Sequence, residues 1–135
     1  MRVDHSNADV VREAFAAADR RDKQALFGLL SPTVEWHMAG LFPDQPPVRA
    51  GREGIWDYAL MLFEQIEDLN RELAEVEEVG EQVVARYHVR GRSRETGDDL
   101  DFEFTLIARV KDGKIVSGRN YEDHDEAVTD AQLSL

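Results

Sequence analysis

The chain has 135 residues, of which 42% are hydrophobic and 33% charged, and its formal net charge is -12. That length suits a single domain over 1–135, because two units could not each bury a useful core, and the negative charge opposes phosphate backbones and anionic lipid surfaces. Without cysteine there is no disulfide framework, thiol nucleophile or thiolate metal site, and with no apolar run of bilayer length and no signal-peptide core the expectation is a cytoplasmic protein without a nucleic-acid or membrane partner.

Ser6 and Asn7 can cap a first helix in which Val10, Val11, Ala14, Phe15 and Ala18 recur at helical period. Asp22 then caps a short second helix with Leu26, Phe27, Leu29 and Leu30 on its apolar side, stopped by Ser31-Pro32. A strand is expected over 33–38, where Val34, Trp36 and Met38 alternate with Glu35 and His37. The segment 39–51 holds three of the four prolines and reads as an irregular loop. From Gly51 or Arg52 to Asp68, the spacing of Ile55, Tyr58, Ala59, Leu62, Phe63 and Ile66 predicts a third helix.

The remainder alternates like sheet: strands over 73–79, 82–93, 100–111 and 114–123, with Asp112-Gly113 as a tight hairpin turn. A short terminal helix is expected over 127–133, capped from Asp123-His124-Asp125-Glu126. Helices first and an antiparallel meander last is the segregated order of an α+β domain. The acidic run over 64–81 is interrupted by apolar residues and reads as a solvated face. Arg86, Arg90, Arg92 and Arg94 are either a local basic stripe or, by the period of a strand, a solvated row paired with nearby acids.

The order of these elements, the helix opened by Gly51-Arg52-Glu53-Gly54-Ile55, the strand Val83-Val84-Ala85-Arg86-Tyr87-His88-Val89-Arg90-Gly91, and the closing pair Asp112-Gly113-Lys114-Ile115-Val116 and Arg119-Asn120-Tyr121-Glu122-Asp123 together resemble the SnoaL-like branch of the nuclear-transport-factor-2-like superfamily. The likeness runs from about Asn7 to Asp125. It implies a cone-shaped α+β fold, with three N-terminal helices packed on a curved, mostly antiparallel sheet that encloses a pocket. Alternation on the strands agrees: Val83, Ala85, Tyr87 and Val89 form one apolar set, and Phe102, Phe104, Leu106 and Ala108 another. For the last strand the family's register turns Val116, Gly118, Asn120 and Glu122 inward.

The candidate ligand-binding residues are therefore Trp36, Met38, Tyr58, Phe102, Phe104, Leu106 and Gly118, with Phe42 as a lid from the proline-rich loop. Each aromatic has core packing as its alternative role, and Gly118 marks either ligand space or a bulge. The family's ketosteroid-isomerase type places its essential acids where this chain has Trp36 and Leu106, and the limonene-epoxide-hydrolase type places its polar triad at Val89, Tyr87 and Asn120. Both chemistries lack their carboxylates here; a one-residue slip would put His88 and Arg86 at the epoxide-hydrolase positions but would turn Tyr87 and Val89 outward. The remaining catalytic candidates are Glu122 as a general base, with Asn120 or Tyr87 steadying an oxyanion. A Glu122 at the rim would instead be merely solvated.

His37 and His124 lack the spacing of a metal site, and neither metal nor cofactor is expected. Two classes of function follow from the resemblance. One is a cofactor-independent isomerase, cyclase or hydrolase acting on an apolar carbonyl or polyketide-like compound. The other is a non-catalytic ligand-binding or protein-interaction module. The resemblance further implies a small apolar molecule as ligand and a homodimer formed through the outer sheet face, which carries Arg86, His88, Arg90, Glu103, Thr105 and Arg109.

Overall fold

The structure is a computed structural model that describes residues 6–38 and 47–133. Its elements run α1 (Asn7–Asp19), α2 (Lys23–Gly28), β1 (Leu30–His37), β2 (Val48–Ala50), α3 (Gly51–Gln65), β3 (Ile66–Val79), β4 (Gln82–Ser93), β5 (Asp99–Lys111), β6 (Lys114–Tyr121) and α4 (His124–Leu133). The strands form one six-stranded sheet in the order β2-β1-β6-β5-β4-β3, in which β1 and β6 are parallel and every other neighbouring pair is antiparallel.

Local chemistry sets the helix starts. The Ser6 hydroxyl accepts from the Asp9 N–H and the Asp22 carboxylate from the Ala25 N–H, each answering an amide that the first turn leaves unpaired. Asp123 accepts from the N–H groups of Asp125 and Glu126 and so starts α4. Helix α1 buries Val10, Val11, Ala14, Ala17 and Ala18 against the sheet. Its first turn is tied to β3 by a 2.9 Å bond from the Ala8 N–H to Glu78.

Several boundaries depart from the sequence expectations. Helix α2 stops at Gly28, before Ser31-Pro32, and β1 already begins at Leu30. A short strand, β2, lies inside the segment expected to be irregular and pairs with the end of β1. Helix α3 ends at Gln65 instead of Asp68, and β3 starts seven residues earlier than its predicted Leu73.

The β3 difference has a geometric cause. Its register against β4 shifts between Glu67 and Asn70 and again between Leu73 and Glu75, and each bulge sets one extra residue into the strand. Ile66, Leu69, Leu73 and Val76 consequently fall at three- and four-residue spacings while lying in one strand. The first bulge carries Asp68 at φ 55. Opposite it, β3 crowds onto β4 so closely that a Cβ on Gly91 would lie 2.4 Å from an Ile66 methyl and 3.0 Å from the Glu67 carbonyl oxygen, which only glycine relieves.

The main core fills the space between the helices and the inner sheet face, where Val83, Ala85, Tyr87 and Val89 of β4 meet Phe104, Leu106 and Ala108 of β5. The opposite face is divided. Helix α4 covers one part of it, with Ala127 and Ala131 buried alongside the outward-facing Val84 and Thr105, with a bond between Thr105 and His124 and one from the Tyr121 hydroxyl to Asp130. The rest carries ion pairs. Arg86 lies 3.9 Å from Glu75 and 3.7 Å from Glu103, Arg90 lies 3.9 Å from Asp101, Arg92 lies 3.5 Å from Asp99, and His88 pairs with Asp101. Arg86, Arg90 and Arg92 thus form a paired, solvated strand face, while Arg94 lies beyond the end of β4.

Candidate functional site

The helices and the inner sheet face close around a cavity of about 70 Å³, room for several water-sized groups. Ala14, Phe15 and Ala18 of α1, Leu26 of α2, and Ile55, Tyr58, Ala59 and Leu62 of α3 form its helical side. Trp36, Ile66, Leu69, Arg71, Tyr87, Val89, Phe102, Phe104, Ile115 and Asn120 form its sheet side. Small residues at three helical positions hold the backbone close while leaving the interior open.

Alternation on β4 and β5 sets the aromatic wall. Tyr87 pairs across to Phe104 and Val89 to Phe102. Ring centroids are 5.4 Å apart for Phe15 and Tyr87, 5.6 Å for Tyr87 and Phe104, and 5.0 Å for Phe102 and Phe104. These are the edge-on and tilted contacts that aromatic quadrupoles favour.

Polar groups enter this wall at a few points. The Tyr87 hydroxyl donates to Asn120 Oδ1 at 3.0 Å, with both residues buried. Because that carbonyl is occupied, the amide N–H groups of Asn120 remain as donors. Burial holds the Tyr87 phenol far above its ordinary range, nearby Tyr58 adds to the rise, and the Arg71 charge opposes it. Burial likewise raises Tyr58, against the pull of Arg71 and Arg49. Both phenols are therefore neutral hydroxyl donors at neutral pH.

Trp36 lines the cavity with its indole Nε1 buried and unpaired. Arg71 comes from β3, where its pairing with Val89 turns it to the inner face. One guanidinium nitrogen bonds Asp19 at 2.6 Å, the group lies 5.0 Å from the Phe15 ring centre, and its Nε is buried without an acceptor. Among the described residues, no carboxylate lines the cavity.

Several predicted site residues thus meet here: Trp36, Tyr58, Tyr87, Phe102, Phe104 and Asn120. Others do not. Leu106 is fully buried in the core on the inner sheet face but does not line the cavity, and Met38 packs partly buried beside both apolar clusters. Gly118 faces Trp36 directly, and a Cβ there would lie 2.5 Å from two ring carbons, so the space it leaves belongs to the indole and not to a ligand. Glu122 follows the end of β6, is exposed, and lies in a surface depression with His37, Met38, Val48, Asn120 and Glu126. The expected inward turn of Glu122 fails because the strand stops at Tyr121. Val116 is replaced on the wall by Ile115, since the register of β5 against β6 shifts between Arg109 and Val110. Phe42 lies outside the described residues.

Sequence reasoning does not reach Ile66, Leu69 and above all Arg71 as cavity residues, because they lie on the part of β3 whose sequence reads as helix or connection. The signal was an arginine within an acidic run, but its inward direction depends on the first bulge.

A curved sheet with helices folded over an apolar cavity defines a nuclear-transport-factor-2-like domain. The chain belongs to the SnoaL-like domain family, whose model matches residues 11–118. It is similar to an NTF2-like protein of unknown function from Burkholderia pseudomallei, at 23% identity and a TM-score of 0.76 over 93% of this chain and 97% of that one. It is also similar to IdmH from Streptomyces antibioticus, proposed to be a polyketide cyclase, at 25% identity and a TM-score of 0.76 over 97% and 100% of the two chains. A protein of ketosteroid-isomerase-like fold from Catenulispora acidiphila, solved with trimethylamine, has 17% identity and a TM-score of 0.72 over 83% of each chain. No curated protein matches the sequence.

Proposed function

We propose that this chain is a small-molecule pocket protein that holds an apolar compound bearing a carbonyl oxygen inside the cavity between helices and sheet. The observation that carries this reading is the buried Tyr87–Asn120 pair set into a wall that is, apart from Arg71, aromatic and aliphatic. A concave apolar site with a few fixed polar groups suits such a ligand. The Asn120 amide and the Tyr58 hydroxyl are donors for its oxygen, and similarity to IdmH supports a polyketide-like compound. Donors aimed at a carbonyl also stabilise an enolate that forms from it, which is what a cofactor-independent isomerase or cyclase needs.

A second reading adds turnover through Glu122. Asn120 lines both the cavity and the depression that holds Glu122, so a substrate spanning the two would meet a carboxylate base and an amide donor together. Without that contact the protein is a ligand holder.

Thermal-shift measurements with small aromatic carbonyl compounds test the reading. A ligand at a hundredfold excess over its Kd stabilises by about 2.7 kcal/mol. The shift is expected to vanish in Ala59→Leu, which fills the cavity from α3, and to persist in Glu122→Gln. A shift that survives Ala59→Leu places the ligand elsewhere and sinks the proposal. Product analysis with Glu122→Gln separates enzyme from holder, since turnover that survives the change removes the carboxylate from the chemistry. The outer strip with Arg86, His88, Arg90 and Glu103, which α4 leaves uncovered, is the surface proposed for a homodimer. Sedimentation velocity should give a dimer that weakens on adding salt, and a monomer at all concentrations would refute it.

A further inference from the structure

The cavity wall holds more donors than acceptors, and one of its donors carries a charge. Arg71 is 11% exposed at its side chain, is anchored through one nitrogen to Asp19, and keeps its Nε buried and unanswered. The Trp36 indole N–H is likewise buried and unanswered, and Tyr58 and Asn120 add hydroxyl and amide donors. No carboxylate on the described wall faces these groups. Asp19, at 43% exposure, spends part of its charge in solvent and engages one edge of the guanidinium fork, which has five N–H groups in all. The Arg71 charge reaches across the cavity, where it opposes the rise at both Tyr58 and Tyr87. A ligand bringing lone pairs and negative charge would complement this wall, where Arg71 has one nitrogen bonded to Asp19 and no carboxylate beside it among the described cavity residues.

We propose that the cavity selects an anionic ligand, an aromatic or otherwise apolar compound whose carboxylate, phenolate or enolate oxygen is shared by Arg71 with Asp19. This rests on the small-molecule reading above and adds the charge of the ligand to it. The ring lies among Phe15, Phe102 and Phe104, and the oxyanion points toward β3. Asp19 then acts as a competitor, so that binding strength depends on how firmly it holds Arg71.

The test compares benzoate with its neutral isostere benzamide by calorimetry at neutral pH, using the full chain as wild type, Arg71→Met and Asp19→Asn. The wild type is expected to prefer benzoate by about tenfold or more, the usual scale of a buried charge-assisted bond. Arg71→Met should lose that preference, with benzoate affinity falling about tenfold or more relative to benzamide. Asp19→Asn, which frees the fork, should strengthen benzoate binding several-fold relative to benzamide. Should Arg71→Met fail to fold, Asp19→Asn decides alone, and benzoate affinity unaltered there overturns the proposal. Equal binding of the two compounds by the wild type also overturns it while leaving the pocket reading intact. Binding of neither compound overturns both.

Discussion

Substituting Gly118 by alanine tests the contact that seats Trp36 at the cavity wall. The added Cβ would lie 2.5 Å from Trp36 Cε3 and Cζ3 and 2.8 Å from Cδ2, whereas carbon atoms settle at about 3.5–4.0 Å. The indole is 8% exposed and Gly118 sits opposite it in the parallel β1–β6 pairing, so backbone and ring must separate by about 1 Å through a rigid wall. Overpacking of this kind costs about 1–3 kcal/mol. For a chain of 135 residues the entropy of unfolding is about 0.28 kcal/mol/K, which converts that cost to a fall in Tm of about 4–11 °C. Thermal unfolding followed by far-ultraviolet circular dichroism measures it. A double-mutant cycle with Trp36→Leu assigns the cause, because the smaller side chain should absorb the methyl and leave a coupling of about 1 kcal/mol or more. An unchanged Tm in the single variant, or strict additivity in the cycle, would refute the seating of Trp36 on Gly118.

Tyr87→Phe removes the 3.0 Å bond and leaves the buried Asn120 carbonyl without its donor, an expected loss of about 1–3 kcal/mol in urea unfolding; no loss would mean that Asn120 finds another partner. Alkaline pH should also destabilise the fold. Burial raises the phenols of Tyr58 and Tyr87, so above about pH 10 the unfolded chain releases these protons first and the native state binds more of them. The contribution is fully present below pH 10 and declines above it, and urea midpoints at pH 9 and 11 should show a smaller decline in Tyr87→Phe; identical slopes would remove Tyr87 as the cause.

The fold was legible because its signals are local. Alternation on β4 and β5 assigned Tyr87, Phe104 and Leu106 to the inner face, and the structure agrees. Ser6 and Asp22 start their helices where a capping side chain meets an apolar period. Trp36 and Asn120 were also placed correctly on the wall, one by strand alternation and the other by the family's register. The errors cluster where parity is interrupted. Bulges in β3 gave its apolar residues helical spacing and concealed Arg71. The end of β6 at Tyr121 broke the alternation that would have turned Glu122 inward.

The sequence by itself therefore determined the helices, the long strands other than the start of β3, and the inner face of the regular strands, each of which rests on residues close together in the chain, and the order of these elements carried the SnoaL-like family; the short strand β2 was not among them. Tertiary structure alone decided that Arg71 faces the cavity, that Gly118 makes room for Trp36 and that α4 covers part of the outer sheet. These depend on bulge positions and on which distant surfaces meet, and a residue's side of a sheet reverses with every inserted position.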